Sequence, residues 1–352
     1  MSSPKIGKRG AAFHKLTVAR VDRLCDDAVA VTFDVPGDLS DEFAFAAGQY
    51  LTLRQGDERR SYSICAPAGS APRIGVRRVD GGQFSTWLVD RVAPGDVLEV
   101  LPPLGKFTPS GTGTHHGLVV AGSGITPALS IAATVLATGA RVTLMYGNRS
   151  TNTVMFADEL ADLKDRYPAT FQLIHVLSRE PRDVELFTGR LTAAKLTALF
   201  GSVVPFDAID EWWLCGPYEM VQDATAVLRD RGVPTDRVHH ELFYVDEPPP
   251  PPRRAEAVID AAASVTVVLD GKSTTLPLPA GEPILDAAQR VRADLPFACK
   301  GGVCGTCRAL VTEGSVEMRR NYALDESEVA AGFVLTCQAL PTSECVTVDF
   351  DA

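Results

Sequence analysis

Short segments in which apolar and polar residues alternate fill the first third of the chain. A period of two is typical of strands that bury one face, and turn residues separate these segments. The predicted strands are Lys15–Val21, Ala28–Phe33, Gln49–Leu53, Arg73–Val79 and Asp96–Val100, with a further strand that ends at Arg59–Ser63. This density of short strands predicts a small β-barrel, which we place over residues 1–112.

The pattern changes after residue 112, where apolar strands alternate with amphipathic helices. The strand Gly117–Ala121 runs into a glycine turn, a helix at Ala128–Leu136 and a second strand at Arg141–Tyr146. This is a βαβ unit, so we predict a parallel α/β domain over residues 113–246. Later segments fit it: a helix at 156–163, strands at 171–177, 211–217 and 238–243, and a helix at 218–231.

A proline run then marks residues 247–262 as a linker, because consecutive prolines favour an extended, semi-rigid chain. Beyond it, strands at Ser264–Leu269 and Ser273–Leu278 and a helix at Pro283–Val291 predict a third, smaller domain over residues 263–352. We therefore expect two domains of ordinary size followed by a small C-terminal one.

Composition narrows the class of protein. The net charge of −10 argues against a nucleic-acid partner. No apolar run is long enough for a membrane span, and the start lacks an apolar signal core, so we expect a cytoplasmic protein without a membrane partner. Of the cysteines outside the motif described next, Cys25 and Cys345 read as buried small hydrophobes.

A cysteine motif lies near the C-terminus. Cys299, Cys304 and Cys307 have the spacing C-x4-C-x2-C, and Cys337 follows as a distant fourth cysteine. Two irons bridged by sulfide need four thiolates, and this spacing is that of a plant-type [2Fe–2S] site. A zinc knuckle would pair C-x2-C with a second close pair, which is absent here. We predict these cysteines as the metal ligands.

Two patches in the predicted barrel suit a flavin nucleotide. The first lies at the end of one strand. There Arg60 offers a guanidinium for a pyrophosphate, Tyr62 an aromatic ring for the isoalloxazine and Ser63 a small hydrogen-bond donor. About twenty residues later, Gly82, Gln83, Phe84 and Ser85 read as a helix start whose N–H groups suit phosphate.

The glycine turn of the α/β domain departs from the usual dinucleotide fingerprint. Gly122, Gly124 and Thr126 are followed by Pro127 where a third glycine is usual, and we expect Pro127 to open the helix. Ligands of parallel sheets bind at the carboxyl ends of the strands, which predicts one crevice formed by 122–127, 146–149, 178–179 and 215–217.

The order Arg60-x-Tyr62-Ser63, Gly122-x-Gly124-x-Thr126-Pro127 and Cys215-Gly216-Pro217 resembles the ferredoxin–NADP reductase superfamily. With its C-terminal cysteine motif, the chain looks like the reductase components of multicomponent oxygenases. Within these it is most similar to the phenylacetyl-CoA epoxidase reductase family of phenylacetate catabolism, and then to the 3-ketosteroid 9α-hydroxylase reductase family.

The resemblance implies a six-stranded antiparallel FAD-binding barrel, a parallel NADP-binding α/β domain and a C-terminal β-grasp [2Fe–2S] ferredoxin. It implies FAD contacts at 60–63, 76–77 and 82–85, which are Arg60, Ser61, Tyr62, Ser63, Val76, Arg77, Gly82, Gln83, Phe84 and Ser85. It implies nicotinamide-nucleotide contacts at Gly122, Gly124, Thr126, Pro127, Cys215, Gly216 and Pro217, and catalytic roles for Ser63, Cys215 and Glu241.

The choice of nicotinamide nucleotide depends on two arginines. The strand that ends at Tyr146 is followed by Arg149 and carries no acidic residue for ribose hydroxyls, and Ser178-Arg179 resembles the pair that binds the 2′-phosphate of NADPH in relatives. We expect NADPH, with NADH as the alternative.

The resemblance implies electron flow from NADPH through FAD and [2Fe–2S] to a diiron or Rieske oxygenase partner. A redox-sensing iron–sulfur flavoprotein that turns over no substrate is the alternative, and rapid NADPH-driven reduction of cytochrome c would exclude it.

Overall fold

The computed structural model describes residues 12–56, 58–109, 113–244, 263–292, 294–297 and 299–352. The predicted linker, 247–262, lies outside the described residues. Contacts between residues divide the chain into two units, of which the first holds most of the chain up to Asp246 and the second holds the C-terminal domain.

The described chain begins with a six-stranded sheet and one helix, which belong to the first unit apart from residues 59–61. Its elements are β1 (His14–Cys25), β2 (Ala28–Asp34), β3 (Tyr50–Gln55), β4 (Glu58–Ser63), β5 (Arg73–Arg77), α1 (Gln83–Asp90) and β6 (Val97–Val100). The strand order is β4-β3-β6-β1-β2-β5, and a bridge between Ile64 and Ile74 brings the two edge strands together. This is the predicted antiparallel barrel, closed in the way that removes exposed strand edges.

Strands β2 and β5 bury both of their faces. On the inner face, Val29, Val31 and Phe33 of β2, with Ile74 and Val76 of β5, belong to the barrel core. On the outer face, Ala28 and Ala30 belong to the core of the following domain. Side chains of a strand alternate between two faces, so the outer face of these strands packs against the α/β domain.

The α/β domain is a five-stranded parallel sheet with helices between the strands. Its elements are β7 (His115–Ala121), α2 (Ile125–Ala137), β8 (Arg141–Asn148), α3 (Ala157–Arg166), β9 (Phe171–Leu177), α4 (Ala193–Phe200), β10 (Glu211–Pro217), α5 (Tyr218–Asp230) and β11 (Val238–Tyr244). The order β11-β10-β7-β8-β9 places the carboxyl ends of β7, β8, β9 and β10 along one edge, as predicted.

Helix α2 begins earlier than the sequence suggested. We expected Pro127 to be the first helical residue, but the helix begins at Ile125 and a short 3-10 turn at Gly122–Gly124 precedes it. Proline is still accommodated, because the first N–H groups of a helix have no intrahelical partner. Helix α4 was not predicted at all.

The second unit contains a five-stranded mixed sheet and a two-stranded one. Its elements are β12 (Ala263–Leu269), β13 (Lys272–Leu278), α6 (Ile284–Ala288), β14 (Arg308–Glu313), β15 (Val316–Met318), α7 (Glu326–Ala330), β16 (Phe333–Leu335), β17 (Ala339–Pro341) and β18 (Cys345–Asp349). The order β13-β12-β18-β14-β16, with Ile284 and Leu285 of α6 in the core below the sheet, is the expected β-grasp arrangement.

Two cysteines differ from expectation. Cys345 is exposed, and Cys25 is only half-buried, with its thiol directed to the carboxylate of Asp27 at 3.1 Å. Among the described residues, no helix has the length and apolar character that crossing a membrane requires.

Candidate functional site

The end of strand β4 forms the first part of the site. Arg60 is exposed, Tyr62 is half-buried and Ser63 is buried. The ring of Tyr62 lies 6.1 Å from that of Phe84, at the start of α1. Strand β4 and helix α1, which the sequence singled out separately, therefore meet through an aromatic contact.

The turn before α1 uses the Ser85 hydroxyl internally. Its Oγ accepts a hydrogen bond from the Val79 N–H at 3.0 Å, and the Thr86 hydroxyl donates to the Gly82 carbonyl at 2.7 Å. Ser85 thus shapes the turn that precedes the helix, and Gln83 at the helix start is exposed. Phe84 is buried in the barrel core.

The glycine turn of the α/β domain lies against the end of β10. A Cβ at Gly124 would stand 2.1 Å from the Cys215 carbonyl oxygen, so only glycine permits this approach. Thr126 donates its hydroxyl to the Ser123 carbonyl at 2.9 Å, and Tyr146 donates to the Gly122 carbonyl at 3.0 Å. Burial raises the pKa of Tyr146, which keeps its phenol a donor.

Ser63 and Glu241 connect the barrel to the α/β domain. The Ser63 hydroxyl donates to Oε2 of Glu241 at 3.3 Å, and Glu241 pairs in register with Cys215 on the neighbouring strand. Burial raises the pKa of Glu241 to about 8, and burial together with the Glu241 carboxyl raises the pKa of the Cys215 thiol. At neutral pH these three groups are an alcohol, a carboxylic acid and a thiol, all uncharged.

Arg77 lies closer to the nucleotide turn than its predicted FAD role suggested. Its Nε is 3.2 Å from Asp27, a second nitrogen donates to the Thr153 carbonyl, and a Cβ at Gly122 would lie 3.3 Å from Nη1. Val76, its neighbour, directs its side chain into the barrel core and offers only its backbone. Asp27 was not singled out from the sequence, because an isolated aspartate in a turn carries no signal.

Arg149 and Arg179 are brought together at the ends of β8 and β9. The Arg179 N–H donates to the Arg149 carbonyl at 2.7 Å, the Ser178 N–H donates to Asn148, and both arginine side chains are exposed. Glu180 next to them accepts hydrogen bonds from the N–H and hydroxyl of Thr151, each at 2.7 Å, which lowers its pKa. Gly216 and Pro217 end β10 at the same edge of the sheet.

The four motif cysteines fall into two pairs in the second unit. Cys299 and Cys304 interact with each other through their thiols, as do Cys307 and Cys337. The described residues contain no group of three or more His, Cys, Asp or Glu side chains arranged for one metal ion. Two thiols for each of two irons is what a [2Fe–2S] cluster needs, so the two pairs fit that cluster.

Thr336 holds the second pair of cysteines together. Its N–H and its hydroxyl both donate to the Cys307 carbonyl, at 3.1 and 2.9 Å, and Cys337 follows directly. Sequence reasoning missed this residue, although its position beside a ligand was a usable signal.

Comparison with known proteins decides the family. The chain matches the families described as oxidoreductase FAD-binding domain over residues 15–108, oxidoreductase NAD-binding domain over 118–226 and 2Fe-2S iron-sulfur cluster binding domain over 267–342. It is 43% identical to one of the subunits of the 1,2-phenylacetyl-CoA epoxidase of Escherichia coli, over 97% of this chain and 98% of the relative.

The chain belongs to the reductase components of multicomponent oxygenases, within the ferredoxin–NADP reductase superfamily. The reductase is also 36% identical to the ferredoxin reductase component of 3-ketosteroid-9-alpha-monooxygenase from Rhodococcus rhodochrous, over 95% of this chain and 96% of that one. It shares its fold with phthalate dioxygenase reductase, with a TM-score of 0.59, 24% identity, and coverage of 96% of this chain and 98% of that chain.

These matches confirm the predicted fold class and the predicted cofactor classes. The reductase is an oxidoreductase that uses FAD, a nicotinamide nucleotide and a [2Fe–2S] cluster. Its site residues and domain boundaries remain predictions.

Proposed function

We propose that this reductase supplies electrons to a phenylacetyl-CoA epoxidase in phenylacetate catabolism, taking them from NADPH and delivering them to a diiron oxygenase component. The observation that carries the proposal is the 43% identity to the Escherichia coli epoxidase component, which extends over nearly the full length of both chains. We place the reductase in the cytoplasm, where reduced nicotinamide nucleotides and acyl-CoA thioesters are available.

The 36% identity to the 3-ketosteroid-9-alpha-monooxygenase component makes that oxygenase the second candidate. The two are separated by mixing the purified reductase and NADPH with the remaining components of each system and measuring substrate oxygenation. We expect product with the epoxidase components at a rate at least about tenfold higher. Faster turnover with the ketosteroid oxygenase would reverse the assignment.

For the flavin we assign Arg60, Ser61, Tyr62 and Ser63 with the turn at 82–85. The exposed guanidinium of Arg60 and the N-terminal amides of α1 suit phosphate, and Tyr62 presents a ring beside Ser63. Bound FAD would accept two electrons with a hydride and release them singly to the cluster, which carries one electron at a time. The ligands we assign to that cluster are Cys299, Cys304, Cys307 and Cys337.

For the nicotinamide nucleotide we assign the turn at 122–127 and the strand end at 215–217. Arg77 lies beside Gly122 and donates to Thr153, so we assign its charge to the nucleotide phosphates as well as to the flavin side. Ser63, Cys215 and Glu241 form the uncharged cleft in which the nicotinamide would meet the flavin. In this cleft the Glu241 carboxyl is protonated at neutral pH, and it accepts a hydrogen bond from the Ser63 hydroxyl.

We assign the preference for NADPH to Arg149, Ser178 and Arg179, because the exposed guanidinium groups of the two arginines suit a 2′-phosphate. Arg179→Ala should raise the KM for NADPH by about tenfold and leave the KM for NADH within about twofold, which corresponds to the loss of one charged contact. Arg229→Ala, at an exposed arginine near the end of α5 in the same domain, is the control. Equal changes for both nucleotides would contradict the assignment.

A further inference from the structure

Strand β5 presents Arg73, Gly75 and Arg77 to the α/β domain on its outer face. Arg73 bonds Asp22 of the barrel at 3.1 Å and Glu159 of α3 at 3.0 Å. Arg77 donates to the Thr153 carbonyl. Two arginines therefore hold the segment 153–159 against the barrel, and Gly75 lies between them.

Gly75 is the point of closest approach. A Cβ at this position would stand 2.4 Å from Cγ2 of Thr126 and 2.8 Å from Cζ of Phe156. Both partners are fully buried, and Phe156 adopts a left-handed backbone conformation with φ of 59°. Carbon atoms in contact lie about 3.5–4.0 Å apart, so a methyl group here requires a shift of about 1 Å.

The partner that would have to shift is fixed on its other side. Thr126 belongs to the turn whose Gly124 rests on the Cys215 carbonyl, where there is no room even for a Cβ. Pushing Thr126 away from Gly75 would therefore also push the turn against Cys215. The α2 start is enclosed between β5 and β10.

Gly75 is also close to the segment we assign to the flavin. Ile64, which follows Ser63, bridges Ile74, which precedes Gly75. The Ser63–Glu241 hydrogen bond crosses from the barrel to the α/β domain at the same place. One glycine thus separates the flavin-binding segment from the nicotinamide-binding turn.

We propose that Gly75 is a positioning residue that sets the distance between the two segments across which hydride transfer occurs. This inference rests on the cofactor assignments in the proposed function. Added bulk at this residue widens the cleft without removing any group that binds FAD or nucleotide. Since a misplacement of about 1 Å can cost about 100-fold in rate, the effect belongs to hydride transfer and not to binding.

The test uses the full-length holoprotein with Gly75→Ala, and Gly37→Ala as the matched control. Gly37 lies in the same barrel, and a Cβ there would meet nothing within 4 Å. We expect Gly75→Ala to keep its FAD and its nucleotide Kd, to slow flavin reduction at saturating NADPH by about 10–100-fold, and to weaken the charge-transfer absorbance that nicotinamide gives on flavin. Gly37→Ala should match the wild type in all four measurements.

Thr126→Ser supplies the second comparison, because it keeps the hydroxyl bonded to Ser123 and removes the Cγ2 methyl that a side chain at position 75 would meet. In a Thr126→Ser background, Gly75→Ala should slow reduction clearly less than in the wild-type background, because only its contact with Phe156 then remains. The proposal would be overturned if Gly75→Ala slowed flavin reduction equally in both backgrounds, or if its flavin were reduced at the wild-type rate. Loss of FAD from Gly75→Ala in both backgrounds would also overturn it. If wild-type flavin is not reduced by NADPH or NADH, the proposed function itself fails.

Discussion

At the scale of single residues, the cleft between the barrel and the α/β domain is defined by groups that burial keeps neutral. Ser63, Cys215 and Glu241 approach one another from three strands, and burial raises the pKa of the latter two. A neutral lining is compatible with the uncharged ring of a reduced nicotinamide and with a flavin that receives the hydride. Each of the three groups can be tested separately.

Cys215→Ala should slow flavin reduction by NADPH about tenfold, because the thiol lies beside Glu241 where the nicotinamide would be positioned. FAD content, measured from the visible absorbance of the purified protein, should not change. Cys65→Ala, at another fully buried thiol of the same unit, is the matched control. Loss of FAD with normal reduction would show that Cys215 has a role in the flavin site instead.

Glu241 should give the reduction rate a pH dependence near pH 8. Below its pKa of about 8 the carboxyl is protonated, and above it an anion would lie in the cleft to which we assign hydride transfer. The rate should therefore fall as the pH rises through about 8, because added negative charge opposes hydride acceptance. Glu241→Gln keeps the shape without the ionisation, so its rate measured by stopped flow should stay flat from about pH 7 to about pH 9. A variant that retains the wild-type profile would show that another group titrates.

At the scale of elements, the iron–sulfur loop depends on a short helix that lies between its ligands in sequence. Arg308, directly after Cys307, pairs with Glu328 of α7 at 2.9 Å, and its guanidinium lies over the ring of Phe333. Both charged side chains are nearly buried. Glu328 also completes a capping box with Asp325, so one carboxylate fixes α7 and the strand that leads to Cys337.

Glu328→Gln should therefore make the cluster labile. Removing one partner of a mostly buried ion pair costs about 3–5 kcal/mol, and here the cost falls on the segment that positions Cys337. We expect faster bleaching of the cluster absorbance in air or chelator, with FAD content unchanged. Glu326→Gln, on an exposed position of the same helix, serves as the control. Equal bleaching rates in the two variants would mean that the pair does not hold the ligand segment.

Strong local patterns made most of these elements predictable. Strands β9 and β10 were placed residue for residue, because turn or helix residues bound their apolar runs, and the cysteine spacing alone was enough to predict the cluster. Contacts between residues far apart in sequence were not predictable. Asp27 and Phe156 acquire their roles from partners far away in sequence, and no periodicity encodes a partner.

The start of α2 shows the same limit within one element. Proline at position 127 suggested a helix beginning there, but the turn at Gly122–Gly124 is fixed by Tyr146 and by the backbone of Cys215, so the helix begins two residues earlier. A local rule predicted the element, and tertiary contacts set its boundary.

At the scale of the whole molecule, hydride transfer and one-electron transfer belong to different regions of the sequence. Apart from residues 59–61, the FAD- and nicotinamide-binding regions lie in the first unit, and the cysteines of the cluster motif lie in the second. Electrons that enter as a hydride need only the first two regions, whereas one-electron delivery to an oxygenase needs the third. The two activities should therefore be separable by a single substitution.

Cys337→Ser should make that separation. With one thiolate removed, the cluster absorbance should be lost or strongly reduced, while NADPH-driven reduction of ferricyanide by the flavin stays within about twofold of wild type. Reduction of cytochrome c and oxygenase turnover should fall by at least about tenfold, because their electrons leave through the cluster. Cys345→Ser, at an exposed cysteine of the same domain, should leave all of these unchanged. If Cys337→Ser supported oxygenase turnover at the wild-type rate, electrons would have to leave directly from the flavin, and the order of carriers in this reductase would be wrong.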